Sequence, residues 1–202
     1  MLYWLVQPLS DTFIGFNVFR YLTFRTGLSI ATAFFLSLVI GPWLIERLRA
    51  LQVRQAIRRE GPEHHQVKEG TPTMGGILIV GSFVFSTLLW ADLSNPYIVT
   101  VLLVTLGFAA IGLLDDWLKV RRQQNLGLTT RQKLLLQVLV GVAGGLMARA
   151  AALPASHAGS LAVPFFKDVL IPLGIFYVPF VVLVLLGSSN AVNLTDGLDG
   201  LA

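Results

Sequence analysis

Apolar positions in this chain fall in long runs without a formal charge, separated by short polar stretches. Thr26 to Ile45 is uncharged over 20 residues, and Gly70 to Ala91 and Leu93 to Leu114 over 22 each. A helix that crosses the hydrocarbon core needs about 20 such residues, so each run predicts one span. Leu134 to Ala148 is 15 residues long, carries Gly141, Gly144 and Gly145, and lies between Lys133 and Arg149. It spans if those flanking cations snorkel outward. Val169 to Thr195 is uncharged over 27 residues and turns polar from Gly187. Pro172 and Pro179 predict a kinked start, which neighbouring helices tolerate in lipid. The expected fold is all-α: a polytopic integral membrane protein with about five transmembrane helices in one membrane domain over residues 1–202.

Composition agrees with that class. Hydrophobic residues make up 54% of the 202 and charged residues 13%, against about 25% charged in an ordinary soluble domain. No polar stretch is long enough to enclose a soluble core. Cysteine is absent, which excludes disulfides, thiolate nucleophiles and cysteine-ligated metals. Met1 to Ser10 has neither a basic leader nor a small-residue cleavage site, so a removable signal peptide is not expected.

Charge then orients the spans. Arg47, Arg49, Arg54, Arg58, Arg59 and Lys68 fall in 46–69, and Lys119, Arg121, Arg122, Arg131 and Lys133 in 115–133, whereas the other side holds Arg20, Arg25, Arg149 and Lys167. The positive-inside rule makes the two basic loops cytoplasmic, puts the N-terminus outside and leaves 150–168 as an outer loop. The net charge of +4 is accounted for by topology and attraction to anionic lipid or phosphate, not by nucleic-acid binding.

Asp115 and Asp116 end the third run. An aspartate at the bilayer centre costs about 2.5 to 3.5 kcal/mol, and acids at membrane depth mark function by default. At the C-terminal end of a helix they would also oppose the negative end of the macrodipole. A cationic partner is expected: Lys119, three and four residues on and on the same helical face, or a divalent metal.

Two further segments converge on the same face. In the stretch from Gly187 to Gly200, Asn190, Asn193, Asp196 and Asp199 recur every three residues, so a helical continuation aligns two amides and two acids. Amides suit a nucleobase or sugar, and acids suit hydroxyls or a metal. Read locally, the segment is also a helix end fraying into a turn-prone loop. The segment Lys68-Glu-Gly-Thr-Pro-Thr-Met-Gly-Gly76 forms a tight turn ahead of a helix N-terminus, a place that favours phosphate or carboxylate. Lys68 adds charge, and Thr71 and Thr73 add hydroxyls; threonine capping is the alternative. The P-loop ending is missing.

Other residues carry less. His64 and His65 lie in a basic loop without a second ligand cluster and read as a solvated pair, and His157 reads as inert. Phe34, Phe35, Phe83, Phe85 and Trp90 are expected to face lipid or pack, with Trp90 and Tyr97 at the interface belt.

The segments Gly70-Thr-Pro-Thr-Met-Gly-Gly76, Asp115-Asp-Trp-Leu-Lys119 and Asn190-Ala-Val-Asn-Leu-Thr-Asp-Gly-Leu-Asp-Gly-Leu-Ala202 together resemble the bacterial phospho-N-acetylmuramoyl-pentapeptide transferases, or lipid I synthases. Val163 to Asp168 and Phe16 to Arg25 are similar too, so the likeness runs along the whole chain. The acidic pair alone indicates only the wider superfamily of polyprenyl-phosphate sugar-1-phosphate transferases.

The resemblance implies transfer of phospho-N-acetylmuramoyl-pentapeptide from UDP-N-acetylmuramoyl-pentapeptide to undecaprenyl phosphate, giving lipid I and UMP with Mg²⁺, at the cytoplasmic face of the bacterial plasma membrane. It implies that Asp115 activates the lipid phosphate, that Asp116 supports it or the metal, and that both acids are candidate metal ligands. Lys119 and Lys68 would neutralise phosphate oxygens. Thr73, Asn190, Asn193, Asp196 and Asp199 would bind nucleotide and diphosphate. Membrane lipids are expected partners, and homodimerisation is left open. The family also implies a chain roughly twice as long with about ten spans, carrying a further aspartate and a histidine-rich loop, so the 202-residue polypeptide is expected to be inactive alone. Two alternatives stand beside this reading: a related transferase using UDP-N-acetylglucosamine, and a non-catalytic membrane module whose acidic pair is a cation site.

Overall fold

The computed structural model describes residues 2–9, 13–50, 74–122, 127–152, 155–166 and 169–195. Six α-helices follow in chain order: α1 (Leu2–Leu9), α2 (Leu22–Ala50), α3 (Gly76–Trp90), α4 (Pro96–Arg122), α5 (Thr130–Ala150) and α6 (Tyr177–Thr195). A 3-10 helix, Ile14–Arg20, precedes α2, and a two-stranded hairpin, β1 (Ser160–Ala162) with β2 (Leu170–Pro172), separates α5 from α6. Among the described residues four segments are long and apolar enough to cross a membrane: Leu22–Ala50, Pro96–Arg122, Thr130–Ala150 and Gly174–Asn193. Among the described residues α3 has 15, a rise of about 22 Å at 1.5 Å per residue; it is apolar but shorter than those four, and a short apolar stretch still crosses where the bilayer thins locally.

Local chemistry moves several expected boundaries. The helix expected from Leu93 starts at Pro96, because Asp92 first makes a turn: its Oδ1 accepts from Ser94 N at 3.1 Å and from Ser94 Oγ at 2.6 Å. Asn95 then caps the helix, its Oδ1 accepting from Tyr97 N at 2.9 Å, and Pro96 takes the first helical position, where no N–H is needed. The helix expected from Gly70 begins, among the described residues, at Gly76, after Met74 adopts a left-handed φ of 72°. The basic stretches are partly helical rather than loop: α2 runs on to Ala50, α4 to Arg122, and α5 starts at Thr130. Arg47 and Arg49 in α2, and Lys119, Arg121 and Arg122 in α4, occupy the last turns, where cations complement the negative helix end.

The 27-residue run from Val169 is not one kinked span. Its first residues extend the loop after α5 into β2, paired antiparallel with β1 through Ser160↔Pro172, Leu161↔Ile171 and Ala162↔Leu170. Gly159, at φ 79°, lets its carbonyl accept from both Leu173 N and Gly174 N, and α6 follows. Pro172 thus ends a strand. Pro179 falls in the first turn of α6, where its missing N–H has no intrahelical acceptor to leave.

The chain divides into two compact units, Met1–Ile98 with Ala109–Thr129, and Val99–Phe108 with Thr130–Ala202. In the first, α2 packs on α3 through small hydroxyls. Ser37 Oγ donates to Ser82 Oγ at 3.1 Å, and Trp90 Nε1 donates to Thr32 Oγ1 at 2.9 Å. Trp90 also stacks on Phe19, so it packs between elements, while Phe34, Phe35, Phe83 and Phe85 stay exposed. In the second unit, α5 turns Gly141 and Gly145 toward α6, where an added Cβ would lie 3.4 and 3.5 Å from the Cα atoms of Val182 and Val178. Large apolar side chains face outward while Ser82, Ser86, Thr100 and Gln137 are buried. That inversion suits lipid, where small residues and interhelical hydrogen bonds join the helices.

Candidate active site

Asp115 and Asp116 lie inside α4, not at its end. The helix continues two turns further because its last turn carries Lys119, Arg121 and Arg122; the negative dipole end is met by these cations, so the expected conflict between dipole and acids does not arise.

Lys119 is the cationic partner. Its Nζ sits 2.7 Å from Asp115 Oδ2, at i,i+4, and donates to Asp116 Oδ1 at 3.2 Å, at i,i+3. The two acids differ in surroundings: the Asp115 side chain is 12% exposed and that of Asp116 37%. The contact to the half-exposed Asp116 is worth at most about 1 kcal/mol. Asp115 has a stronger anchorage, because Leu128 N donates to its Oδ1 at 2.7 Å. A backbone N–H on a carboxylate is a charge-assisted bond, roughly twice as strong as a neutral one. Both Asp115 oxygens are therefore engaged, whereas Asp116 Oδ2 has no partner among the described residues.

The approach of the 127–129 segment to α4 depends on a glycine. A Cβ at Gly127 would collide with Asp115 Oδ1 and lie 2.7 Å from the Asp115 carbonyl oxygen. Arg122 Nη1 reaches Gly127 O at 3.5 Å from the other side. Gly127 and Leu128 belong to the site, and sequence reasoning missed them. The available signal was a glycine just ahead of a helix, which does not say what approaches it.

The remaining candidates divide. Asn190 and Asn193 lie on α6, in the second unit, where the helix runs unbroken to Thr195 rather than fraying at Gly187. Asn193 is exposed. Asn190 Nδ2 donates to Gln137 Oε1 at 3.1 Å and to Leu186 O at 2.9 Å. Gln137, 2% exposed, was also passed over, although a lone amide in an apolar run is itself a signal. Lys68, Thr73, Asp196, Asp199, His64 and His65 fall outside the described residues. His157 stands exposed in the 3-10 helix Ala155–His157.

As a metal site the acidic pair is incomplete but suitable. Among the described residues no group of three or more His, Cys, Asp or Glu could hold an ion. Two adjacent carboxylates sharing one ammonium still leave net negative charge, and hard oxygen donors suit Mg²⁺, which is bound by one or two carboxylates together with phosphates and water.

Fold and site together define a multi-pass helical membrane protein with a paired-carboxylate and lysine cluster at the polar end of one span. The chain belongs to glycosyl transferase family 4, which it matches over residues 98–202, just over half its length. Residues 68–80 match the phospho-N-acetylmuramoyl-pentapeptide-transferase signature 1. The whole chain is 52% identical to the phospho-N-acetylmuramoyl-pentapeptide-transferase of Pelobacter propionicus and 50% identical to those of Citrifermentans bemidjiense and Geobacter sp.. It spans a little over half the length of these curated relatives, 56% of each.

Proposed function

We propose that the protein to which this chain belongs transfers phospho-N-acetylmuramoyl-pentapeptide from its UDP carrier to undecaprenyl phosphate, forming lipid I and releasing UMP, with Mg²⁺ as cofactor. The observation that carries the reading is the Asp115–Asp116–Lys119 cluster in a chain about half identical to transferases of that name. One substrate is soluble and the other is a membrane lipid with its phosphate at the surface, so a cluster at the boundary of a span suits both. By the distribution of lysine and arginine that boundary is cytoplasmic, and the membrane is the bacterial plasma membrane.

In the net transfer a P–O bond forms between a lipid phosphate oxygen and the phosphorus attached to the sugar, the P–O bond from that phosphorus to UMP breaks, and UMP leaves with the electron pair. Such transfers ask for positioning and charge neutralisation more than covalent work. Lys119 neutralises a phosphate oxygen. Bound Mg²⁺ would supply further charge neutralisation for the diphosphate, and Asp116, whose Oδ1 alone meets Lys119, would hold it. Asp115 keeps Lys119 and the Gly127–Leu128 segment in place, and activates the lipid phosphate only by releasing one of those contacts. Lys68, Thr73, Asn193, Asp196 and Asp199 are assigned to the nucleotide and diphosphate, and Asn190 only through its Oδ1, since both its amide hydrogens are engaged.

The test uses protein expressed from its complete reading frame, purified in detergent with undecaprenyl phosphate and Mg²⁺. Radiolabelled UDP-N-acetylmuramoyl-pentapeptide should yield a labelled lipid, and excess unlabelled UDP-N-acetylglucosamine should not compete. Transfer from the latter sugar nucleotide alone would move the assignment to its relatives, and no transfer from either would refute it.

A further inference from the structure

Gln137 is the one polar side chain in the run Leu134 to Ala148, and it is 2% exposed. Its Oε1 accepts from Asn190 Nδ2 at 3.1 Å and its Nε2 donates to Ser189 Oγ at 3.4 Å. The second Asn190 amide hydrogen goes to Leu186 O. Asn190 is therefore turned toward α5, while Asn193, three residues on, remains exposed.

The glycines of α5 set how near α6 comes, since Gly141 and Gly145 lie against Val182 and Val178. They do little to fix its rotation, because a glycine surface meeting valines offers similar packing after a small roll. A hydrogen-bonded amide has no such tolerance: a roll that breaks it leaves buried polar groups unpaired. Gln137 is one turn from Gly141 on the same helical face, in the N-terminal half of α5 and against the part of α6 that turns polar.

We propose that Gln137 is a positioning residue for the nucleotide substrate: by holding Ser189 and Asn190 it fixes the rotation of the last two turns of α6, and so the direction in which Asn193 meets the ligand. It acts through those residues and not by contact with substrate. This rests on the transferase reading above.

Two measurements on the protein from its complete reading frame test it. In the first, KM for each substrate is measured for Gln137→Leu and Gln137→Glu. Leu fills the space without hydrogen bonding, whereas Glu keeps the acceptor for Asn190. Gln137→Leu should raise KM for UDP-N-acetylmuramoyl-pentapeptide about five- to tenfold, as expected when a binding group is misaligned. The KM for undecaprenyl phosphate should change less than about twofold, and Gln137→Glu should recover most of the loss. In the second, a nitroxide is placed at Asn193→Cys, a unique thiol because residues 1–202 hold no cysteine, with any cysteine beyond them replaced. Its spectrum should broaden or split with Gln137→Leu and return toward the parent with Gln137→Glu. Unchanged nucleotide KM, both KM values rising together, or an unchanged nitroxide spectrum in folded Gln137→Leu would each overturn the proposal. If Gln137→Leu fails to fold, wild-type nucleotide KM in Gln137→Ser, which loses the reach to Asn190, overturns it equally. Absence of turnover in the unsubstituted protein would refute the transferase reading instead, and the nitroxide spectrum alone would then decide the role of Gln137.

Discussion

Gly127→Ala places one methyl group against the most buried carboxylate of the site. The added Cβ would overlap Asp115 Oδ1 and sit 2.7 Å from the Asp115 carbonyl oxygen, well inside carbon–oxygen contact, so the 127–129 segment must retreat. Retreat stretches the 2.7 Å bond from Leu128 N to Asp115 Oδ1. A hydrogen bond to a charged group contributes about 1.5 to 3 kcal/mol, and a carboxylate left partly unsatisfied adds to the loss. An overall cost of about 2 to 3 kcal/mol corresponds to a fall in unfolding temperature of roughly 2 to 6 °C for the protein from its complete reading frame. Turnover should fall about 10- to 100-fold, since Asp115 shares Lys119 with Asp116 and displacement of one moves the other. The assay pairs thermal unfolding in detergent with lipid I formation, both measured on the protein from its complete reading frame. Leu128→Ala is the control: it trims an apolar side chain and keeps the N–H, so turnover should stay within about threefold of the parent. Wild-type unfolding temperature and turnover in Gly127→Ala would refute the reasoning, as would an equal loss in Leu128→Ala.

The two acids should also separate. Asp115→Leu removes the acceptor for Leu128 N and one partner of Lys119, so it should lower the unfolding temperature and abolish turnover. Asp116→Leu, at a side chain 37% exposed, should abolish turnover with an unfolding temperature near that of the parent; equal destabilisation by both would count against the split. Topology is tested by single thiols and a membrane-impermeant maleimide on intact spheroplasts. His157→Cys should label at once and Arg122→Cys only after permeabilisation, and the reverse order would overturn the orientation.

Much of the site was readable from spacing. Lys119 stands three residues after Asp116 and four after Asp115, and helix geometry alone brings such positions together; the structure shows both contacts. The depth of the pair within α4 was not readable, because the end of an apolar run does not end a helix whose next turns carry dipole-matched cations. The start of α4 was misplaced for a related reason: Asp92 and Asn95 redirect the backbone through their own side chains, which hydropathy does not register. Strand β2, at the start of the last apolar run, was missed because Leu170 and Ile171 are as apolar as a span and their partners in β1 lie outside that run.

By itself, then, the sequence determined the membrane class, the approximate spans and the acid–lysine cluster, since each depends on residues less than a few helical turns apart. Only the tertiary structure decided that Leu128 anchors Asp115 from 13 residues away and that Gln137 holds Asn190 from 53. Those contacts depend on how closely one backbone approaches another, and a linear pattern of polar and apolar positions does not encode that distance.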